Sequence, residues 1–469
     1  MRPNNPILLH VPSLLVQRLD VYLKDNPPNF QYKLDYFYYV VHYITSLQLM
    51  RKDKEYVIVN RKILKDLSVS NIGSYIRILE NGEFIISDKS YVTGKKSKGY
   101  KLNKKYSYGL ETIEISKDCK LFDKIIKHHR RKRAHKDRLE PFLQQMNKTF
   151  MDVELDYSKA EKWILCNVPN NKQHFHFLAL TQLKDKRFRH FHRNKTNNRL
   201  DTNLTNLKSE LRQFIKGDFI SIDLKNSQPF LLSVLLNSII NNSKVLLCSI
   251  NNDLDLNRTF GVKAIQKILK NHQKLKKSNL VNLKKFTDAV LNGNLYEDFI
   301  KSYSNKIKRK KAKDIMFKVL FSKNEIYHKY KRFVPYNEEK EIFASVFPFV
   351  MESVKALKEK EHSGLAIFLQ KLESYVFIDC IAKRLVEAGI VPLTIHDSFL
   401  IESKYKDKAM EIIHAEFLGL FGVVPSFHVE SNSKEVNLRS PQNNTMYSCH
   451  LKKRFIQFAT ERAISKRIA

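Results

Sequence analysis

The sequence predicts an α+β fold: an antiparallel sheet with an aspartate at each of two strand ends, helices inserted between them, and a separate helix-and-strand unit in front. Two runs carry most of that expectation. Lys216-Gly-Asp-Phe-Ile-Ser-Ile-Asp223-Leu-Lys-Asn-Ser-Gln228-Pro229 and Ile390-Val-Pro-Leu-Thr-Ile-His396-Asp397-Ser398-Phe-Leu-Ile-Glu402 are each β-rich up to an aspartate and turn-prone straight after it. The third observation is the order of elements over residues 34–103. Tyr36–Leu49 has helical apolar spacing, Tyr56–Val59 reads as a short strand, Arg61–Asp66 begins a second helix and Asn71–Glu80 forms a third. Short strands within Gly82–Asp88 and at Tyr100–Leu102 then flank a basic loop over Lys89–Lys98.

Three helices followed by two strands and a basic loop is the layout of a winged helix-turn-helix, expected over residues 1–110. Its third helix would read DNA, with Lys95, Lys96 and Lys98 as wing contacts to phosphate; a protein-docking role is the alternative. Residues 111–190 read as a basic helical linker or thumb-like region because of the run Lys124–Arg138, which is either a solvated face or a track for a phosphate backbone. Asp156 is expected to cap a helix starting at Tyr157. The remainder divides into a sheet-and-helix domain over 191–435 and a basic tail over 436–469.

Bulk properties narrow the function classes. At 469 residues there is room for two or three domains with sizeable cores. A formal charge of +35 attracts polyanions and makes any nucleic-acid complex salt-sensitive; lysine- and asparagine-rich codon bias is the competing explanation. The five cysteines, Cys119, Cys166, Cys248, Cys380 and Cys449, are far apart with no C-x-x-C pair, which argues against a structural zinc and for a reducing compartment. No run of 18 apolar residues occurs and no leader-like start is apparent, so a soluble protein with no membrane partner, cytoplasmic or nucleoid-associated, is expected.

Two carboxylates held at strand ends suit a two-metal phosphoryl-transfer site, since phosphates approach such a site through Mg²⁺ rather than against negative charge. Around them lie three further stretches. Thr196-Asn-Asn198-Arg199-Leu200 precedes Asp223; Arg309, Lys313, Phe317 and Phe321 recur every four residues along one predicted helix face; and Leu365–Ile378 carries Gln370 on a helix before the His396-Asp397 turn. Taken singly, Asp223 reads equally as a turn residue, the Arg309–Phe321 face as an amphipathic helix with a basic edge, and His396-Asp397 as hairpin-turn chemistry.

Together, and in this order, the four stretches resemble family A DNA polymerases and the related phage-type single-subunit RNA polymerases, over roughly residues 190–430. The resemblance implies a right-hand palm built on an antiparallel sheet, helical fingers, and template-directed nucleotide transfer using a DNA template and primer, nucleoside triphosphates and two Mg²⁺ ions. Asp223 and Asp397 match the metal ligands. Arg309 and Lys313 match the cations that grip the triphosphate, Phe317 and Phe321 the rings that pack on base and sugar. Arg199, Gln370 and His396 match contacts to the primer end and the duplex minor groove.

Asn198 stands where the family has glycine, a workable exchange if the position needs a left-handed backbone. Ser398-Phe399 after the aspartate looks like the RNA polymerases, and Phe321-Ser322 replaces the usual tyrosine-glycine. Gln228, five residues after Asp223, occupies the position where the family's DNA polymerases carry a bulky side chain against the ribose 2′-hydroxyl and its RNA polymerases carry glycine. The expected function is therefore DNA synthesis, with an RNA polymerase or primase as the runner-up. From another class comes a replication initiator or DNA-binding regulator that keeps the palm only as scaffold.

Overall fold

The structure is a computed structural model that describes residues 7–50, 55–59, 71–89, 97–106, 111–115, 120–133, 139–241, 255–274, 276–303, 307–328 and 331–431. The fold is mixed α+β, mostly helical with small antiparallel sheets. The expected helix from Arg61 and the tail over 436–469 lie outside the described residues.

Two apolar cores organise the chain. The first runs from Ile7 to Ile126. Its strands are β1 (Ile7–Val11), β2 (Val57–Ile58), β3 (Ile85–Ser87), β4 (Gly99–Leu102) and β5 (Glu111–Ile115), paired as a β2-β4-β3 sheet and a separate β1-β5 pair. The helix Leu34–Met50 buries Phe37, Val40, Val41 and Ile44, and the helix Ile72–Asn81 buries Ile72, Tyr75, Ile76 and Leu79; both sets fall at the spacing that lines one helix face.

This core extends past residue 110, where the sequence places the end of the first unit. Strand β5 sets Ile113 opposite Leu9 and Ile115 opposite Ile7, and Leu121, Phe122, Ile125 and Ile126 from the helix Lys120–Arg133 are buried in the same cluster. The region 111–190 is therefore not one linker. Its later helices, Pro141–Asp152, Tyr157–Asn167 and Asn170–Lys184, bury Phe142, Leu143, Met146, Ile164 and Leu178 in the second core. Asp156 caps the second of these as expected, its carboxylate accepting from the Lys159 N–H at 3.0 Å.

The second core continues to Phe417. It holds the hairpin β6 (Phe191–Arg193) with β7 (Leu200–Thr202) and strands β8 (Phe219–Leu224), β11 (Leu393–Ile395), β12 (Ser398–Glu402) and β13 (Phe427–Ser431), while the pair β9 (Ile326–His328) with β10 (Lys331–Phe333) exposes Ile326, Tyr327 and Phe333. The sheet that matters for function has the order β11-β12-β8-β13 with every pair antiparallel. Along β8, Ile220, Ile222 and Leu224 are buried while Phe219, Ser221 and Asp223 are half-buried on the opposite face, the period-two pattern of a strand with one face in a core. No helix among the described residues is long and apolar enough to cross a membrane.

Candidate active site

Asp223 is the penultimate residue of β8, with Ser398 opposite it on β12 and His428 opposite it on β13. It is thus flanked on both sides by paired strands. Asp397 is the second residue of the two-residue turn between β11 and β12. The first residue of that turn, His396, has φ of 56°, the left-handed conformation that tight hairpins favour and that histidine adopts more readily than most non-glycine residues. The backbone N–H of Leu224 donates to the carbonyl of Asp397 at 3.1 Å, tying the turn to the end of β8. Beneath them the hydroxyls of Ser221 and Ser398 are 2.9 Å apart. Two aspartates remote in sequence thereby sit at one edge of one sheet.

The chemistry of that edge is set by burial and like charge. The Asp223 carboxyl is pushed up to about 7, first by burial and then by the charge of Asp397, against the opposing pull of Lys313 and Arg212. Asp397 is also raised by burial, opposed by hydrogen bonding from its own backbone, by Arg199, by the Ser227 hydroxyl and by Lys313. Partly desolvated carboxylates, one raised further by the charge of the other, gain from a divalent cation, and two hard oxygen donors are what Mg²⁺ takes from protein when substrate phosphates and water complete its shell. The residues present fit such an ion. Among the described residues no group of three or more His, Cys, Asp or Glu is arranged to hold a metal by protein ligands alone.

Three of the four sequence stretches converge behind the aspartates. The Arg199 guanidinium, expected to reach outward to a primer, is turned inward onto the buried carboxylate of Glu373 at 2.6 Å. Gln228, on the first turn of the helix Ser227–Ile240, donates its amide nitrogen to the other oxygen of Glu373, and the Ser227 hydroxyl donates to that oxygen at 3.2 Å. Gln370 lies one turn earlier than Glu373 on the helix Gly364–Ser374 and accepts from Asn197 at 3.0 Å. Asn198 has φ of 58°, the left-handed backbone its place in a glycine position requires, and its carbonyl accepts from Arg193 at 2.6 Å and from the Ser374 hydroxyl. Arg193 in turn grips Asp379 at 2.7 Å, midway along a π-helical stretch over Tyr375–Ala382.

The fourth stretch is the helix Arg309–Phe321. Lys313 is exposed on it, and its charge acts on both aspartates. Arg309 is not a bare cation: it pairs with Glu297 at 2.7 Å and lies over the Tyr296 ring. Phe317 is half exposed, with its ring 5.5 Å from the more buried ring of Phe321. In the amino-terminal unit Lys98 is ion-paired with Glu80 at 2.7 Å, while Lys95 and Lys96 lie outside the described residues.

Sequence reasoning missed Glu373, Arg212 and Ser227. Glu373 carried a signal, since it is three residues beyond Gln370 and so on the same helix face. Arg212 had none, because it sits in a short 3₁₀ segment with no motif around it.

No family model matches the chain, and no curated protein matches it. Among solved structures it is similar to the POL domain of Pol1 from M. smegmatis in complex with DNA primer-template and dNTP, at 12% identity and a TM-score of 0.27. That alignment covers 56% of this chain and 53% of the other, so the chain spans about half the length of the structure it matches.

Proposed function

We propose that the chain is a template-directed nucleotidyltransferase that makes DNA, with Asp223 and Asp397 as its catalytic carboxylates and metal ligands. The observation that supports this reading most is the meeting of the two aspartates at the junction of β8 with the β11–β12 turn, with Lys313 bearing on both. In this reading the four-stranded sheet is a palm, the helix Arg309–Phe321 belongs to the fingers, and the unit around the first core is a winged-helix module that engages duplex DNA.

When bound, two Mg²⁺ ions lower the pKa of the primer 3′-hydroxyl and stabilise the departing pyrophosphate. The chain's own residues do the rest. Asp223 and Asp397 would hold the ions, Asp223 from backbone paired to strands on both sides and Asp397 from a turn whose carbonyl accepts from the Leu224 N–H, so little reorganisation is needed when charge develops. Lys313, and Arg309 once it exchanges Glu297 for phosphate, neutralise the triphosphate. Phe317 and Phe321 supply apolar surface for base and sugar. Gln228 fills the space a ribose 2′-hydroxyl would need, and Phe321 lacks a hydroxyl to favour ribose; both point to deoxynucleotides. Gln370 and His396 face the duplex, with Arg199 supporting the loop from behind.

Primer extension on a primed DNA template with dNTPs and Mg²⁺ tests the reading. Wild-type protein should extend the primer, and Asp223→Ala and Asp397→Ala should each lose at least about 10³-fold in rate while still holding duplex DNA. Near-wild-type extension by either variant at saturating Mg²⁺ contradicts the assignment, and a wild type that binds duplex but extends nothing points to a regulator.

A further inference from the structure

Glu373 has a side chain only 1% exposed, and its polar partners come from two other stretches of the site. One carboxylate oxygen faces the Arg199 guanidinium at 2.6 Å, from the loop before β7. The other accepts from Gln228 and Ser227, on the first turn after β8. A buried carboxylate is costly unless paired and hydrogen-bonded, and here Arg199 supplies the ion pair and Gln228 and Ser227 the hydrogen bonds. The bond to Glu373 also fixes which end of the Gln228 amide points away. Its nitrogen is committed, so its carbonyl oxygen is the end left buried and without a hydrogen-bond partner among the described residues.

Resting on the polymerase reading above, we infer that Glu373 is a positioning residue for sugar selection, holding Gln228 in the one orientation and rotamer that fills the ribose space. A free glutamine side chain has three rotatable bonds and two amide orientations, so it cannot exclude a 2′-hydroxyl unless something pins it. Ionised and paired with Arg199, Glu373 pins it, because a carboxylate accepts only and cannot satisfy a flipped amide. Glutamine at position 373 can donate or accept and permits both orientations.

The test is competitive incorporation of matched dNTP and rNTP pairs by wild type, Glu373→Ala, Glu373→Gln, Gln228→Gly and the Glu373→Gln/Gln228→Gly double variant, each checked for melting temperature. Glu373→Gln keeps the volume and removes only the charge and the fixed polarity, so it serves if Glu373→Ala does not fold. The expected result is that Glu373→Gln lowers the dNTP preference by about 10-fold, more than it lowers the dNTP rate, the scale of one buried charged hydrogen bond. In the Gln228→Gly background the same change should cost no further preference, since it acts through the missing side chain. Wild-type selectivity in both Glu373 variants overturns the inference, and so does an equal loss with and without Gln228. A wild type that incorporates both sugars without preference overturns it too, leaving the polymerase reading standing. A wild type that incorporates neither overturns that reading and the positioning role with it.

Discussion

Gln228 carries the most specific prediction among single side chains, because its place on the first turn after β8 is fixed by Glu373 rather than by solvent. Wild type should prefer dNTPs over rNTPs by about 10² to 10³, the preference expected from a steric conflict of about 2–4 kcal/mol, and Gln228→Gly should remove most of it. Competitive incorporation reads this directly; a wild type that prefers rNTPs would make the enzyme an RNA polymerase or primase with the same aspartates. The residues that could be read from sequence were those whose local chemistry is self-contained. Asn198 in a glycine position announced a left-handed backbone, and Asp397 in a two-residue turn announced a hairpin. Glu373 and Arg199 were not legible as a pair, because an acid on a helix and an arginine in a loop each read as solvated until the fold buries them against each other.

Among elements, the helix Arg309–Phe321 depends on two buried lysines at its carboxyl end. Lys358 donates to the carbonyls of Val319, in the last turn, and Ser322, the C-cap, and Lys340 donates to the carbonyl of Lys323 just beyond at 2.6 Å, so carbonyls around the end of the helix are met by lysine amino groups. Burial, with a smaller push from Lys340, brings the Lys358 ammonium down to about 7 from an ordinary 10.5. The unfolded chain therefore binds more protons than the native one between pH 7 and 10.5. Stability from this group is fully present above 10.5 and lost as pH falls through 7. Lys358→Met should flatten that part of the stability curve, removing up to about 1.4 kcal/mol per pH unit of slope between pH 7.5 and 9.5. Denaturant unfolding at a series of pH values measures it, and an unchanged slope would contradict the lowering of the Lys358 ammonium by burial. Strand β8, the β11–β12 hairpin and this helix could be read from sequence because their periods are clean. Strand β5 could not, since Glu111-Thr-Ile-Glu-Ile looks half polar and gains its meaning only from pairing with β1, a hundred residues away.

Across the whole molecule, two cores mean two cutting points, and only one of them respects the fold. Removing residues 1–110 strips β1 from β5 and leaves Leu121, Phe122, Ile125 and Ile126 without the core that buries them, so that fragment should aggregate. Removing residues 1–138 should leave a soluble fragment that still extends short primers, binds duplex more weakly and shows a shallower fall of log K with log salt, because basic residues that release counterions are gone. An unchanged salt slope in the shorter protein would make the amino-terminal unit a protein-docking module. The net charge of +35 could be read from sequence at once, but the boundary near 126–140 could not, because it depends on which distant apolar residues share a core. Template direction is tested most directly by single-nucleotide addition to one primer on four templates that differ only in the templating base, with Mg²⁺ and each dNTP in turn. Addition of only the complementary dNTP on each template is the predicted result, and addition of the same nucleotide whatever the template, or of none, would contradict it.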